Sequence, residues 1–212
     1  MNNNVNVINN AGNNVLITVN NKDENTQIII DLVSNMVELS TLLPGDIFKS
    51  NGVKYIVLEH FKNGTTGVIR KELLDNIKFD ADNNNWKTSS IRKKLNEEYI
   101  KELAFGEDNI IEHTVDLMSL DGLDDYGTSK DKVSLLTIDQ YRKYRKILKE
   151  NKNRCWWLST PHSTPTGYGS DDVQYVDSGG DVCYGWCSYV RGVRPFFILK
   201  SDIFVSCDKV EG

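Results

Sequence analysis

Between Val176 and Arg191 the chain reads VDSGGDVCYGWCSYVR. Tyr184, Trp186 and Tyr189, with Tyr175 just before them, supply large rigid rings. Asp177, Ser178, Asp181 and Ser188 supply small polar contacts, and Arg191 supplies a cation. Aromatic anchors set among Ser, Gly and Asp suit a displayed binding surface. Rings give contact area at low entropic cost, and small polar residues adapt around them. These residues form the candidate ligand-binding set.

Other groupings have the residue types for bond-making chemistry but lack the spacing. Cys183-x-x-x-Cys187 could be half of a metal site. Cys155 and Cys207 make no second pair at ligand spacing, however, and no nearby His completes a set. Free thiols are the better reading, with a Cys183–Cys187 disulfide left open in an oxidising compartment. His162, Ser163 and Asp171 contain the residue types of a hydrolytic triad, yet no Gly-x-Ser-x-Gly elbow presents a nucleophile. Asp121, Asp124 and Asp125, and separately Asp171 and Asp172, offer the oxygen ligands that calcium takes. Neither cluster has EF-hand spacing, and solvated acidic loops are the simpler reading. No catalytic residue, metal or cofactor is therefore expected.

The elements that must hold this surface alternate short apolar runs with turn signals. Asp46–Lys49, Val53–His60 and Gly67–Arg70 are read as a three-stranded meander, its first turn made by Asn51-Gly52. Trp86 to Asn96 opens a helix with Thr88 or Ser89 as N-cap, and Tyr99 to Phe105 continues it. Ile110–Met118 and Val133–Thr137 are read as strands, Leu120–Ser129 as an acidic loop, and Gln140–Lys149 as a helix capped by Thr137 or Asp139. Trp156–Ser159, Val173–Val176 and Gly192–Leu199 are strands, with Pro161–Asp171 a loop between the first two. Trp156 and Trp157, adjacent on a strand, must face opposite sides. Arg194 stands in an apolar run and needs a partner, so it is expected to clamp the sheet.

Residues 1–40 differ from the rest. Asn crowds the first 25 positions, Val15–Val19 reads as a strand, and Ile29, Leu32, Val33, Met36 and Val37 recur at helical spacing up to Leu39. This segment is expected to attach the chain to a partner or to copies of itself, with residues 41–212 as the main domain. The whole chain has 212 residues, 39% hydrophobic and 26% charged, with a net charge of −5. No Lys/Arg stripe favours nucleic acid. No apolar run is long enough to span a membrane, and the N-terminus lacks the basic and apolar regions of a secretory signal.

Several motifs occur in order: Leu43-Pro44-Gly45-Asp46-Ile47-Phe48, Trp86-x-x-Ser89-x-x-Arg92-x-x-Leu95-Asn96, Ser134-Leu135-Leu136-Thr137, Trp156-Trp157-Leu158-Ser159-Thr160-Pro161 and Gly192-Val193-Arg194-Pro195. Over roughly residues 42–200 the chain resembles a family of bacterial and phage domains of unknown function. Ser159 stands where many of those relatives carry Arg. The resemblance implies an α+β fold, a C-type-lectin-like domain with a mostly antiparallel sheet and two helices, distantly like the formylglycine-generating group. It also implies that the segment before the last strand faces a ligand.

The expectation is a non-enzymatic phage or prophage protein on a virion or cell surface. It would bind a host glycan or surface protein through Val176–Arg191, and associate with itself or with other virion proteins through residues 1–40. Some C-type-lectin-like proteins of this kind are diversified by a retroelement that mutates adenines. Asn codons then become Asp, Ser, Gly, Tyr, Cys or Val, the residues crowding this stretch, although Trp186 cannot arise that way. A structural virion component without a ligand is one alternative. An enzyme of the formylglycine-generating type, using Cys183 and Cys187, is another.

Overall fold

The computed structural model describes residues 36–148 and 154–207, and the backbone of 5–10 and 13–18. Val5–Asn10 (β1) and Asn13–Thr18 (β2) pair as an antiparallel hairpin. The helix expected to reach Leu39 is not seen where it can be checked. Met36–Glu38 is a strand (β3), and the earlier part of that segment lies outside the described residues. The meander follows as expected: Ile47–Ser50 (β4), Val53–Phe61 (β5) and Thr65–Arg70 (β6) pair antiparallel. Asn51 and Gly52 both take positive φ at the first turn, the backbone a tight hairpin requires.

Leu74–Lys78 (β7) leads to Ser90–Lys94 (α1), which runs through a π-helical turn at Leu95–Tyr99 into Ile100–Glu102 (α2). Short strands follow at Ile110–Ile111 (β8), His113–Asp116 (β9), Thr128–Asp131 (β10) and Val133–Ser134 (β11). Ile138–Tyr144 (α3) starts from a capping box made by Thr137 and Gln140. The remaining strands are Trp156–Pro161 (β12), Asp172–Val176 (β13), Val182–Trp186 (β14), Val190–Val193 (β15), Phe196–Lys200 (β16) and Phe204–Cys207 (β17).

The fold class is therefore corrected. The chain is mostly β, with 41% strand and 17% helix, not the C-type-lectin-like α+β domain the resemblance implied. Segments not read as strands are paired strands: Thr128–Asp131 with β9, Val182–Trp186 with β13, and Leu74–Lys78 with β15. The helices are short clips against sheets. Gly192–Leu199, read as one strand, is two. At Arg194-Pro195 the chain leaves the five-stranded sheet β14-β13-β12-β15-β7 and enters the eight-stranded sheet β11-β16-β6-β5-β4-β17-β3 with β8. Pro195 has no N–H to give a ladder, so it suits this crossing. Its carbonyl accepts from Arg70 N, and Arg194 Nε donates to the Arg70 carbonyl at 2.9 Å.

Over much of these sheets both faces are buried, because adjacent residues enter different cores. Tyr55, Val57, Val68, Trp157 and Phe197 belong to one apolar cluster, and Ile56, Leu58, Ile69, Trp156 and Phe196 to the other. Trp156 and Trp157 thus take opposite sides, both wholly buried. Arg194 is buried with its guanidinium 5.5 Å from the Trp156 ring, and burial brings its pKa down to about 10, so it stays charged.

The Trp86-x-x-Ser89-x-x-Arg92-x-x-Leu95-Asn96 motif has a structural explanation. Ser89 caps α1 by accepting from Arg92 N. Trp86 Nε1 and Arg92 Nε then both donate to the buried Asp131, at 2.8 and 2.7 Å, where Ser129 Oγ also donates. Asn96 brackets Val133, accepting from its N–H and donating to its carbonyl. The motif is a clamp that fastens a short helix to the β10–β11 corner.

Candidate functional site

The β13–β14 hairpin carries most of the expected binding residues, and its register distributes them. Gln174 opposes Tyr184, Asp172 opposes Trp186, and Val176 opposes Val182. These residues share one face. Tyr175 opposes Cys183 and Val173 opposes Gly185 on the other. The candidate set is therefore split. Tyr184 and Trp186 lie on one side of the sheet, with Tyr175 and Arg191 on the reverse.

The hairpin tip lies at the far end from Trp186, and its acidic residues are occupied. Asp177 Oδ1 accepts from the backbone of Gly179 and Asp181, closing the turn. Asp181 pairs with Arg145 at 2.9 Å, and Tyr141 of α3 donates to the Gly180 carbonyl at 2.6 Å. Ser178 is exposed at the tip, and Ser188 is half-buried in the turn after β14. Five residues of strand, about 16 Å, separate the two ends. Asp177, Ser178 and Asp181 are thus placed away from the ring cluster.

Helix α3 covers the Val176–Val182 end of the first face, where Tyr141 packs edge-on to Trp156. It does not extend over the other end, so the rings there stay open. Tyr184 is 56% exposed, Trp186 54%, Tyr189 49% and Tyr168 93%. Tyr184 is nonetheless held in place. Its ring lies parallel on His162, 3.9 Å between centroids and 11° between planes. His162 is fixed in turn by Gln174 Nε2 donating to its Nδ1 at 3.0 Å and by its backbone N–H donating to the Asp172 carbonyl.

A cleft of about 350 Å³ opens beside this stack, lined by His162, Tyr168, Asp171, Asp172 and Tyr184. Burial and the neighbouring Asp171 charge push the Asp172 carboxyl up, against the opposing effect of His162. The loop bearing Tyr168 is pinned by Asn84, wholly buried, whose amide donates to the carbonyls of Ser163 and Asp172 and accepts from Tyr126 Oη. Tyr168, His162 and Gln174 were not singled out for binding from the sequence. An exposed Tyr in a Thr-Pro-Thr-Gly-Tyr-Gly loop was the available signal for the first.

On the reverse face the Arg191 guanidinium stacks 3.4 Å over the Tyr175 ring, 5.0 Å from Trp157 and 5.9 Å from Tyr189. Trp186 and Tyr189 meet around the strand end at 5.4 Å, so ring contacts run continuously from one face to the other.

Of the residue types that suggested chemistry, His162, Ser163 and Asp171 line this same cleft, but the Ser163 hydroxyl is engaged elsewhere. Ser163 Oγ donates to Asp121 Oδ2 at 2.7 Å and accepts from Tyr168 N. Hydrogen bonds from Ser119 and Ser163 hold the Asp121 carboxyl below its ordinary range. Thr166 donates to Asp125 at 2.6 Å. The cysteines are free thiols. Cys187 is buried and burial pushes its pKa up, the reverse of what activates a thiolate. Among the described residues no group of three or more His, Cys, Asp or Glu gathers as metal ligands, and no helix is long and apolar enough to cross a membrane.

A family model described as a domain of unknown function (DUF6273) matches residues 63–201, more than half of the chain. No curated protein and no solved structure matches.

Proposed function

The chain belongs to the DUF6273 family of domains of unknown function, and from that premise we propose that it is a non-enzymatic binding protein of a phage or prophage, displayed on a virion or cell surface and recognising a host glycan. One observation carries this reading: the exposed Tyr184 ring is braced parallel on His162 beside an open cleft. A sugar presents an apolar C–H face and a rim of hydroxyls. A rigid ring answers the face, and carboxylate and amide groups at the ring's edge answer the hydroxyls. Asp171 and Asp172 supply carboxylates here, while the buried Gln174 acts indirectly by holding His162. Tyr168 shares the cleft with Tyr184, and Trp186 follows two residues along the same face of β14. In this reading residues 1–40 attach the domain to its particle or to further copies.

The test is glycan-array and host-cell binding by the intact chain and by Tyr184→Ala, Trp186→Ala and Tyr168→Ala. The expected result is binding about 5- to 30-fold weaker for Tyr184→Ala, since aromatic stacking and the contacts it positions are worth about 1–2 kcal/mol. Unchanged binding in all three variants would remove the cleft from the account.

A further inference from the structure

We propose that Arg191 is a carboxylate subsite, and that the ligand of the surface described above is an acidic oligosaccharide. The inference rests on the glycan reading and names the class of glycan.

Guanidinium groups carry five N–H donors in a plane, with no acceptor. Arg191 is stacked by its face: Tyr175 lies at 3.4 Å, and Trp157 and Tyr189 flank it. Stacking uses the face of the cation and leaves its edge free for ligands. Among the described residues no carboxylate forms a salt bridge with Arg191 and no hydrogen bond satisfies its buried Nε. By contrast Arg92, Arg142 and Arg145 each meet an Asp. A positioned fork with a buried, unanswered N–H suits a planar anion that can accept two parallel bonds, as a carboxylate does.

The fold makes room for this arrangement. A Cβ on Gly185 would stand 2.9 Å from Arg191 Nη2, so a larger residue there would push the guanidinium from this position. The Trp186–Tyr189 contact links this cation to the open ring face around the end of the edge strand. One chain of sugars could therefore stack on Tyr184 and Trp186 while a uronate in the same chain reaches Arg191.

The probe is trigalacturonate, with its methyl ester as the neutral control and sodium sulfate and sodium acetate as ion controls. Two readouts are taken on the full chain: Kd by calorimetry, and the Arg191 Nε–H signal in ¹H–¹⁵N spectra, assigned by its loss in Arg191→Gln. The expected result is a saturable shift with trigalacturonate and none with the ester, and affinity at least about tenfold weaker in Arg191→Gln, as for loss of hydrogen bonds to a charged group. Gly185→Ala, which displaces the guanidinium without removing it, should weaken trigalacturonate binding in the same direction.

No shift with trigalacturonate, or an acid-over-ester preference that survives in Arg191→Gln, overturns the proposal. A shift of equal size and midpoint with sulfate or acetate means an adventitious ion only, and overturns it too. Tyr184→Ala separates the two readings. If it loses ester and acid binding alike while Arg191→Gln changes neither, the glycan surface stands and the carboxylate subsite falls.

Discussion

Tyr184 lies flat on His162, its centroid 3.9 Å from the imidazole and the two planes within 11°. A half-exposed tyrosine on an edge strand would otherwise sample several rotamers. The imidazole, anchored by Gln174, keeps one of them. A ring held in its binding orientation loses less freedom when a ligand arrives.

His162→Ala should therefore weaken glycan binding about 3- to 10-fold in the fraction that remains folded, since a stacked pair is worth about 0.5–1.5 kcal/mol. His162→Phe keeps a flat partner and should bind closer to the parent protein. Calorimetric Kd values check this, and equal affinity for His162→Ala and the parent would contradict it.

Asp131 is the point on which Trp86, Arg92 and Ser129 converge. Asp131→Ala strands a buried indole N–H and a guanidinium that is about a third exposed. The partial exposure lowers the cost below that of a fully buried pair, to about 2–4 kcal/mol. Urea unfolding should show this drop, while the fraction that remains folded binds ligand as before. A loss under about 0.5 kcal/mol would mean that the clamp is ornamental.

Gly192 opens the Gly192-Val193-Arg194-Pro195 block because of a close approach, not a turn. A Cβ there would stand 2.6 Å from Leu73 Cδ1 and 3.1 Å from the Cys155 carbonyl, whose oxygen accepts from Gly192 N. Backbone cannot give way as a side chain can, so Gly192→Ala should cost about 1–3 kcal/mol. Thermal melts of Gly192→Ala beside Gly122→Ala, where space is open but φ is positive, would separate crowding from backbone strain. Parent-like melting of Gly192→Ala would refute the contact.

His113 governs the expected pH response near neutrality. Its ring packs edge-on to Phe196, Nε2 meets Ser134 Oγ at 2.8 Å, and Nδ1 is buried without a partner. Burial holds its pKa below the ordinary 6.5, against the opposing backbone contact at Ile111 and the charges of Asp131 and Glu112. The unfolded chain thus takes up a proton near pH 6.5 while the folded chain does not. Stability falls as pH drops through that value, by at most about 1.4 kcal/mol per pH unit. Melting curves from pH 7.5 to 5.5 should show the decline, and His113→Phe should flatten it. An equal slope in the variant would assign the response elsewhere.

Much of the framework was legible before the structure. The Asn51-Gly52 turn, the β4–β6 meander and the Thr137 cap rest on local signals, where one dipeptide or one hydroxyl decides the backbone. The fold class was not legible. Thr128–Asp131 and Leu74–Lys78 carry little apolar pattern, and they become strands because a partner with unpaired backbone groups lies beside them. Asp131 escaped notice for a similar reason: it is one acid among many in the sequence, and its value lies in three donors, two of them from distant positions.

The candidate binding segment was singled out by composition, and its period of two places Tyr184 with Trp186 and apart from Tyr175. That much the residue order decides, because alternate residues of a strand must face opposite sides. Which side is open was decided only by tertiary packing. Helix α3 covers Val176 and Val182 and stops before Tyr184, His162 arrives from the end of β12 to support the exposed ring, and β15 brings Arg191 onto Tyr175 over Gly185. Exposure depends on what packs against a face, and here the packing elements lie far off along the chain.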